Sequence, residues 1–592
     1  MENKKKNLNT IIKNLLLRIK ENPSALFDEL YNIWREEIKE KNKISCQCIQ
    51  ELNDKYCIDI CLLAVQAIDN GFNCWDVLCI LQEAIPKINN NVDSVIQLFE
   101  RFHKNMQGDL ASGQQYLPVE QLIKKQPIFA RQLLDKLLAD PAVFSTGYIS
   151  TIFCSLSGQD KTNIHNELLA LTHNESVYIV QAAINALGRL DYKIPKDQKI
   201  FEKSLQVLYE LSKKNVQDID IAIVQAYGNL AEISEQAQKG LVVYAKQGNP
   251  HVHYQISEEL FKNCKQFNQE QWFKDCMMEL TRTSCLHKGT INYLDRILYG
   301  IIQEAQDWNY VENFLTEWVI KSDIKKNSNE EADSLFASTF SLLLKNKEKV
   351  GNLITNLLNN DDYRAHNLIT NLAHALSINE IIGVELGKKV LNSLNFEDIL
   401  FVSRKILGYI FWPDLTCSLI YSILEKEHID NKVRALVINI FTDLIGRDYP
   451  EKTINFLNER IKNSNQNEVK CKTCKIIVKN IEEYQNTLKE LPRLKELTPP
   501  SKQYYKIALE ESKKMAETME RAQKKSIFQQ LATKIPLKYG RAWFSYRQGK
   551  YEKPNPLSSI SRSIEIPRSE SIESISAAIR RAGFRLAKRG NG

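Results

Sequence analysis

The stretch Asp430-Asn431-Lys432-Val433-Arg434-Ala435-Leu436-Val437-Ile438-Asn439-Ile440-Phe441-Thr442-Asp443-Leu444-Ile445-Gly446 decides the fold class. Val433, Leu436, Val437, Ile440, Phe441, Leu444 and Ile445 follow one another in alternating steps of three and one, which gathers them on one side of a helix. Asp430 and Asn431 supply side-chain oxygens for the free N–H groups of a first turn. No proline interrupts the run, so the helix can continue through it.

The same grammar recurs upstream. Asn174-Glu175-Ser176 leads into Val177, Val180, Ile184, Leu187 and Leu190, and Val216-Gln217-Asp218 leads into Ile219, Ile223, Ala226, Leu230 and Ile233. Similar starts fall at Asn249-Pro250, His287-Lys288-Gly289, Asn360-Asp361 and Asn467-Glu468. They are separated by roughly 33 to 42 residues, or about twice that, the period of stacked helix pairs. One pair cannot bury its apolar face alone, whereas stacked neighbours make a continuous core and leave an extended surface for partners.

Lys432-Val433-Arg434-Ala435-Leu436 and Ala186-Leu187-Gly188 resemble the second helix of a HEAT repeat, in which a charged turn precedes an aliphatic-Arg-aliphatic step and then an Ala-Leu-Gly-like segment. The likeness to the HEAT/armadillo-like superfamily runs from Leu117 to Lys489. It implies an all-α fold, an α-solenoid of stacked HEAT-like helix pairs, and the role of a scaffold or adaptor. Some proteins of this kind bind or modify nucleic acid.

Composition agrees with the helical reading. Only 21 Gly and 16 Pro punctuate 592 residues, far too few for a turn-rich β fold of that length. Around the solenoid the sequence suggests three parts: an N-terminal helical cap over residues 1–110, the solenoid over 111–495, and a basic C-terminal region over 496–592. In the cap, Leu26 to Glu40, Cys57 to Asn70 and Asp93 to Asn105 have helical spacing. Leu491-Pro492 and Thr498-Pro499-Pro500 set the second boundary. Beyond it a charged helix is expected from Ser501 to Leu531. The aromatic run through Trp543 and Tyr546 then suggests a small β-hairpin turning at Gln548-Gly549. A Ser-rich stretch follows, and a last helix near Ile572 to Lys588.

Charge is unevenly distributed. From Ser501 onward there are 20 Lys and Arg against 8 Asp and Glu, a local charge of +12, while the preceding body sits near −5. Concentrated positive charge suggests an anionic partner. The candidate contacts are Lys534, Lys538, Arg541, Trp543, Tyr546, Arg547 and Lys550, where cations interleave with aromatic rings able to stack on bases, and Arg580, Arg581, Arg585, Lys588 and Arg589 of the last helix. On that helix Ile572, Ile575, Ile579, Ala582 and Leu586 line one face and the arginines lie largely across from it. It could dock on a partner, lie on an anionic membrane, follow phosphates, or fold back on an acidic patch of its own solenoid.

Other constellations read as structural. Cys471 and Cys474 form a CxxC, but Cys474, Ile477, Ile481, Tyr484 and Leu488 make one helical stripe, so these are expected in the core. Cys46, Cys48, Cys57, Cys61, Cys74 and Cys79 sit among aliphatic residues without the compact spacing of a zinc site. His251 and His253 are alternate residues that point apart on a helix. Gly383 to Lys389 is one residue short of a phosphate loop and carries Lys389 in place of its hydroxyl. No GxSxG, HExxH or dinucleotide fingerprint occurs. No catalytic, cofactor or metal residues are therefore assigned, and a non-enzyme is expected.

The apolar stretch Phe396 to Leu424 is broken by Glu397, Asp398, Arg404, Lys405 and Asp414, so no membrane span is expected. The first residues lack a signal-type apolar core, and 13 cysteines without disulfide spacing fit a reducing compartment, so a cytoplasmic location is expected. The functional expectation is a non-catalytic scaffold that binds another protein in a multi-subunit assembly. Lys- and Asn-rich usage hints at a microbial setting and, by association, at an antiviral defence system. The alternative is a nucleic-acid-binding HEAT-like protein working through the basic aromatic region.

Overall fold

The structure is a computed structural model describing residues 2–22, 25–40, 43–106, 111–322, 332–463, 469–492 and 573–590, with short stretches between 505 and 569. Its contacts divide the chain into two units, Met1–Lys349 and Val350–Gly592. The described residues are overwhelmingly helical.

In the first unit, helices stack in two rows. Ten of them, numbered in chain order, are α1 (Ser145–Leu156), α2 (Lys161–Leu171), α3 (Val177–Arg189), α4 (Gln198–Ser212), α5 (Gln217–Leu230), α6 (Glu235–Lys246), α7 (Pro250–Phe267), α8 (Gln271–Leu280), α9 (Lys288–Gly300) and α10 (Trp308–Lys321). The odd-numbered helices pack successively, and the even-numbered ones pack behind them. This alternation is the stacked-pair architecture that the sequence period implies.

Local chemistry sets the helix starts. The side chain of Ser234 accepts from Ala237 N, that of Asn249 from His251 N and that of Asp307 from Tyr310 N, each satisfying an otherwise orphaned donor. Along α3, Val180, Ile184, Leu187 and Leu190 are buried as their spacing requires, and along α5 so are Ile219, Ile223, Ala226 and Leu230. Ile233, expected on the same stripe, lies past the end of α5 and is exposed. The Ala-Leu-Gly segment has a packing cause: a Cβ on Gly188 would stand 2.5 Å from the Cα of Ala226, so α3 and α5 touch backbone to backbone.

The N-terminal helices differ in one boundary. Cys57 has φ +53 and ends the helix Ile44–Tyr56, and the next helix starts only at Ile60, where Asp59 accepts from Leu62 N. Cys46, Cys48, Cys61 and Cys74 are buried, and burial drives the Cys61 thiol far above its ordinary range. The thirteen cysteines all lie among the described residues, and none is joined in a disulfide.

The second unit continues with α11 (His366–Ile378), α12 (Phe396–Tyr409), α13 (Pro413–Ser422), α14 (Asn431–Asn439), α15 (Pro450–Lys462), α16 (Val469–Glu490) and α17 (Ser574–Leu586). α11, α12, α14 and α16 make one row, with α13 and α15 behind. The decisive stretch forms α14, capped by Asp430 at Lys432 N, and runs on as a π-helical turn over Ile440–Ile445. Val433, Val437, Ile440, Phe441 and Ile445 are buried, while Leu436 and Leu444 are half-buried at its edge. The motif arginine ties the row together: Arg434 Nε donates to Thr473 Oγ1 of α16 at 2.8 Å. Cys471 and Cys474 lie in the core of α16. The start expected at Asn360-Asp361 is delayed to His366, because the Asn360 side chain accepts from Asp362 N and folds the segment into a turn first.

Candidate functional site

The C-terminal helix α17 packs against α12. α12 begins with a capping box between Asn395 and Asp398, which fixes Asp398 at its first turn. Its far end carries Lys405, Gly408 and Tyr409, followed by Phe411.

The helix is held by its cationic side. Arg589, in the turn after α17, donates from Nε to Asp361 Oδ1 at 2.6 Å, from one terminal nitrogen to Asp398, and from the other to the backbone and side-chain oxygens of Asn359. Its guanidinium lies 4.8 Å from the centre of the Phe401 ring. Arg585 donates to Gly408 O at 2.6 Å and covers Tyr409 and Phe411, and Arg581 lies 4.7 Å over Phe411. Arg580 reaches Asp448 Oδ2 at 3.8 Å and Ser569 Oγ at 3.1 Å, while the Ser569 backbone N–H donates to Asp448 Oδ1. Planar guanidinium groups suit both tasks, forked hydrogen bonding to carboxylates and stacking on rings.

Lys405 contributes the opposite polarity. Its side chain is buried, and Nζ donates to Arg585 O at 2.5 Å and Ala587 O at 2.9 Å. These carbonyls close the C-terminal end of α17, where unpaired acceptors and the helix dipole favour a cation. Burial holds the Lys405 ammonium below the usual lysine range. His366 lies nearby with its ring facing Phe401 and Tyr409; burial first, and then the Lys405 charge, push it down to about 4. It is neutral at ordinary pH, and Nε2 donates to Asn360 O at 3.0 Å.

Gly408 lets the helix come close. A Cβ there would meet Arg585 Cγ and N at 3.0 Å and Phe584 C at 3.3 Å, all atoms of α17. The aliphatic stripe of α17 points away from this contact, while Phe584 is half-buried and lines a small cavity with Leu407, Ile410 and Phe411. Ala577 is its one buried residue, whereas Ile575, Ile579 and Leu586 are 76%, 68% and 78% exposed.

Of the sequence candidates, Arg580, Arg581, Arg585 and Arg589 are therefore brought together on the second unit's own surface, and Lys588 is exposed beside them. Lys534, Lys538 and Arg541 lie outside the described residues. Trp543 belongs to β1 (Ala542–Trp543), which pairs with β4 (Asn555–Pro556). Tyr546 and Arg547 form β2, antiparallel to β3 (Lys550–Tyr551), the pairing expected of the hairpin, and nothing is described of their side chains. Sequence reasoning missed the receiving residues Asp361, Asp398, Lys405 and Asp448. The signal for two of them was present, since Asp398 and Lys405 are charges inside an otherwise apolar run.

The other constellations are accounted for by packing. His253 is buried and its ring bonds Ala245 O, while His251 is exposed in the first turn of the same helix. Gly383 has φ +76 in an irregular segment, and Gly387 N donates to Thr355 Oγ1. Among the described residues, no group of three or more His, Cys, Asp or Glu could hold a metal ion, and no helix is long and apolar enough to cross a membrane.

At the level of fold, the chain is a HEAT-like helical repeat. The assignment rests on the two-row helix pairs and their sequence period. Among solved structures it is similar to Kap121p bound to Pho4p, at 11% identity and TM-score 0.29, covering 76% of this chain and 53% of that one. It is also similar to Kap121p bound to Nup53p, at 12% identity and TM-score 0.26, covering 88% and 62%. UNC-45 from Drosophila melanogaster gives 12% identity and TM-score 0.22, covering 81% and 66%. The chain thus spans between half and two thirds of the length of these proteins. No family model and no curated protein matches the chain.

Proposed function

We propose that the chain is a non-catalytic scaffold that binds another protein through its helical-repeat surface, as one member of a multi-subunit assembly in the cytoplasm. The observation that supports this is the grip of α12 and its neighbours on a helix remote in sequence: Arg589 and Asp361 are 228 positions apart. A surface that orders one helix through carboxylates, rings and a buried lysine has the equipment for protein recognition.

A second reading is nucleic-acid binding by the basic C-terminal region, supported by the strand pairing around Tyr546, Arg547 and Lys550 in a segment of local charge +12. The test is affinity purification of the full chain with cross-linking, identifying both protein and nucleic acid. The scaffold reading expects a defined protein cross-linked to the repeat helices. Recovery of nucleic acid alone, cross-linked to the basic region, would contradict it and favour the second reading.

A further inference from the structure

We infer that the α12 face is a receptor for an arginine-bearing helix end of a partner protein, and that α17 occupies this receptor in cis until the partner displaces it. This rests on the scaffold reading above and names the partner class.

The first argument is the inverted packing of α17. A helix that belongs permanently to a core buries its apolar stripe and exposes its charges. α17 departs from this: it turns Ile575, Ile579 and Leu586 outward, buries Ala577, and sets the half-buried Phe584 and Arg581 against the unit. Removing it would uncover carboxylates, a lysine and aromatic edges, which water can solvate, beside a small hollow bordered by Leu407, Ile410 and Leu444, and the helices beneath keep their own core. Such a contact can open without unfolding its base.

The second argument is selectivity. Three carboxylates, Asp361, Asp398 and Asp448, meet cations, but charge alone would accept lysine as readily as arginine. The guanidinium carbons of Arg589, Arg585 and Arg581 lie 4.8, 5.3 and 4.7 Å from the centres of the Phe401, Tyr409 and Phe411 rings, and Arg589 spreads its donors over Asp361, Asp398 and Asn359 at once. A lysine ammonium cannot make that planar, forked set of contacts. Lys405 adds direction, because its ammonium reads the carbonyls where a helix ends. The surface therefore fits a helix with arginines one turn apart near its C-terminal end and another just beyond it. Gly408 admits the backbone of that helix, which a Cβ at this position would press back by a few tenths of an ångström and a bulky side chain by more.

The probe is a fluorescent peptide copying residues 573–592, titrated by anisotropy into the full chain and into a full-chain variant carrying Arg581→Ala, Arg585→Ala and Arg589→Ala. The variant should bind the peptide at least about tenfold more tightly than wild type, because its own tail no longer competes. Adding Asp361→Asn and Asp398→Asn should remove the gain, and so should replacing the peptide's arginines with lysine. Circular dichroism and thermal unfolding of each variant check that the fold is kept. No gain in the arginine variant, or equal binding of the lysine peptide, overturns the inference. An oligonucleotide bound by wild type and lost in the arginine variant would also overturn it, since the arginines would then serve phosphates. A partner still cross-linked elsewhere on the repeats after such a failure would leave the scaffold reading standing.

Discussion

The α3–α5 junction of the first unit and the α12–α17 junction of the second are both helix-on-helix contacts, made by opposite chemistry. At the first, Gly188 lies against Ala226 while Ile184, Leu187 and Ile223 are fully buried, so the centre of the contact is apolar. At the second, Gly408 also admits a close approach, but its neighbours are Arg585, which donates to its carbonyl, and Lys405, which donates to the Arg585 carbonyl. Apolar burial contributes about 25 cal/mol for each Å² and depends little on salt, whereas charge contacts at a partly exposed surface are smaller, directional and screened. The first junction is built to persist and the second to exchange.

The largest effect is expected from Gly188→Val. The added side chain meets the Ala226 backbone, which cannot step aside, and stability measured by denaturant should fall by about 3 kcal/mol. Gly408→Leu should separate the two junctions most cleanly. It improves helix propensity in α12 by up to about 1 kcal/mol, so global unfolding should hold or rise slightly, while limited proteolysis should now cut between 569 and 590. If Gly408→Leu lowers global stability as much as Gly188→Val, the two junctions are alike and the distinction fails.

A smaller change is expected of Asp398→Asn. The Arg589 and Asp398 side chains are 29% and 20% exposed, so the pair is partly screened, and tail docking read by proteolysis should weaken by about 1 kcal/mol, less at high salt. Replacing Cys471 and Cys474 together by Ala should cost a similar amount through small voids, without dependence on salt and without loss of bound zinc. Zinc released by that change would overturn their assignment to the core. The smallest effect belongs to Ile575→Ser with Ile579→Ser, which should leave docking unchanged because both side chains face solvent. Loss of docking in that double variant would mean that the apolar face, and not the arginines, holds the helix.

Much of the repeat architecture was legible because it is local. The spacing of Val180, Ile184 and Leu187, or of Val433, Val437 and Ile440, carries helix, face and burial together, and Asn249 and Asp430 mark their own caps. The tail was legible only as far as its own residues allowed. Its two faces could be read, but periodicity suggests Ile575, Ile579 and Leu586 as the buried stripe, and the structure instead packs Ala577, Arg581 and Phe584 against the unit. The reason lies far away in sequence: Asp361 precedes α11 while Asp398 and Lys405 belong to α12, and neither the buried lysine nor the carboxylates announce a partner some 180 to 230 positions distant. Asn360 misled for a related reason, since a side chain able to cap a helix can equally close a turn before it.

The most direct test of the charge-held, exchangeable tail is amide hydrogen exchange in the full chain, comparing residues 574–586 with α3 and α5 in wild type and Gly408→Leu, each at low and high salt. The account predicts that protection over 574–586 is reduced by salt and abolished by Gly408→Leu, while α3 and α5 keep theirs. Protection over 574–586 that survives both changes, or that disappears only together with that of α3 and α5, would contradict it.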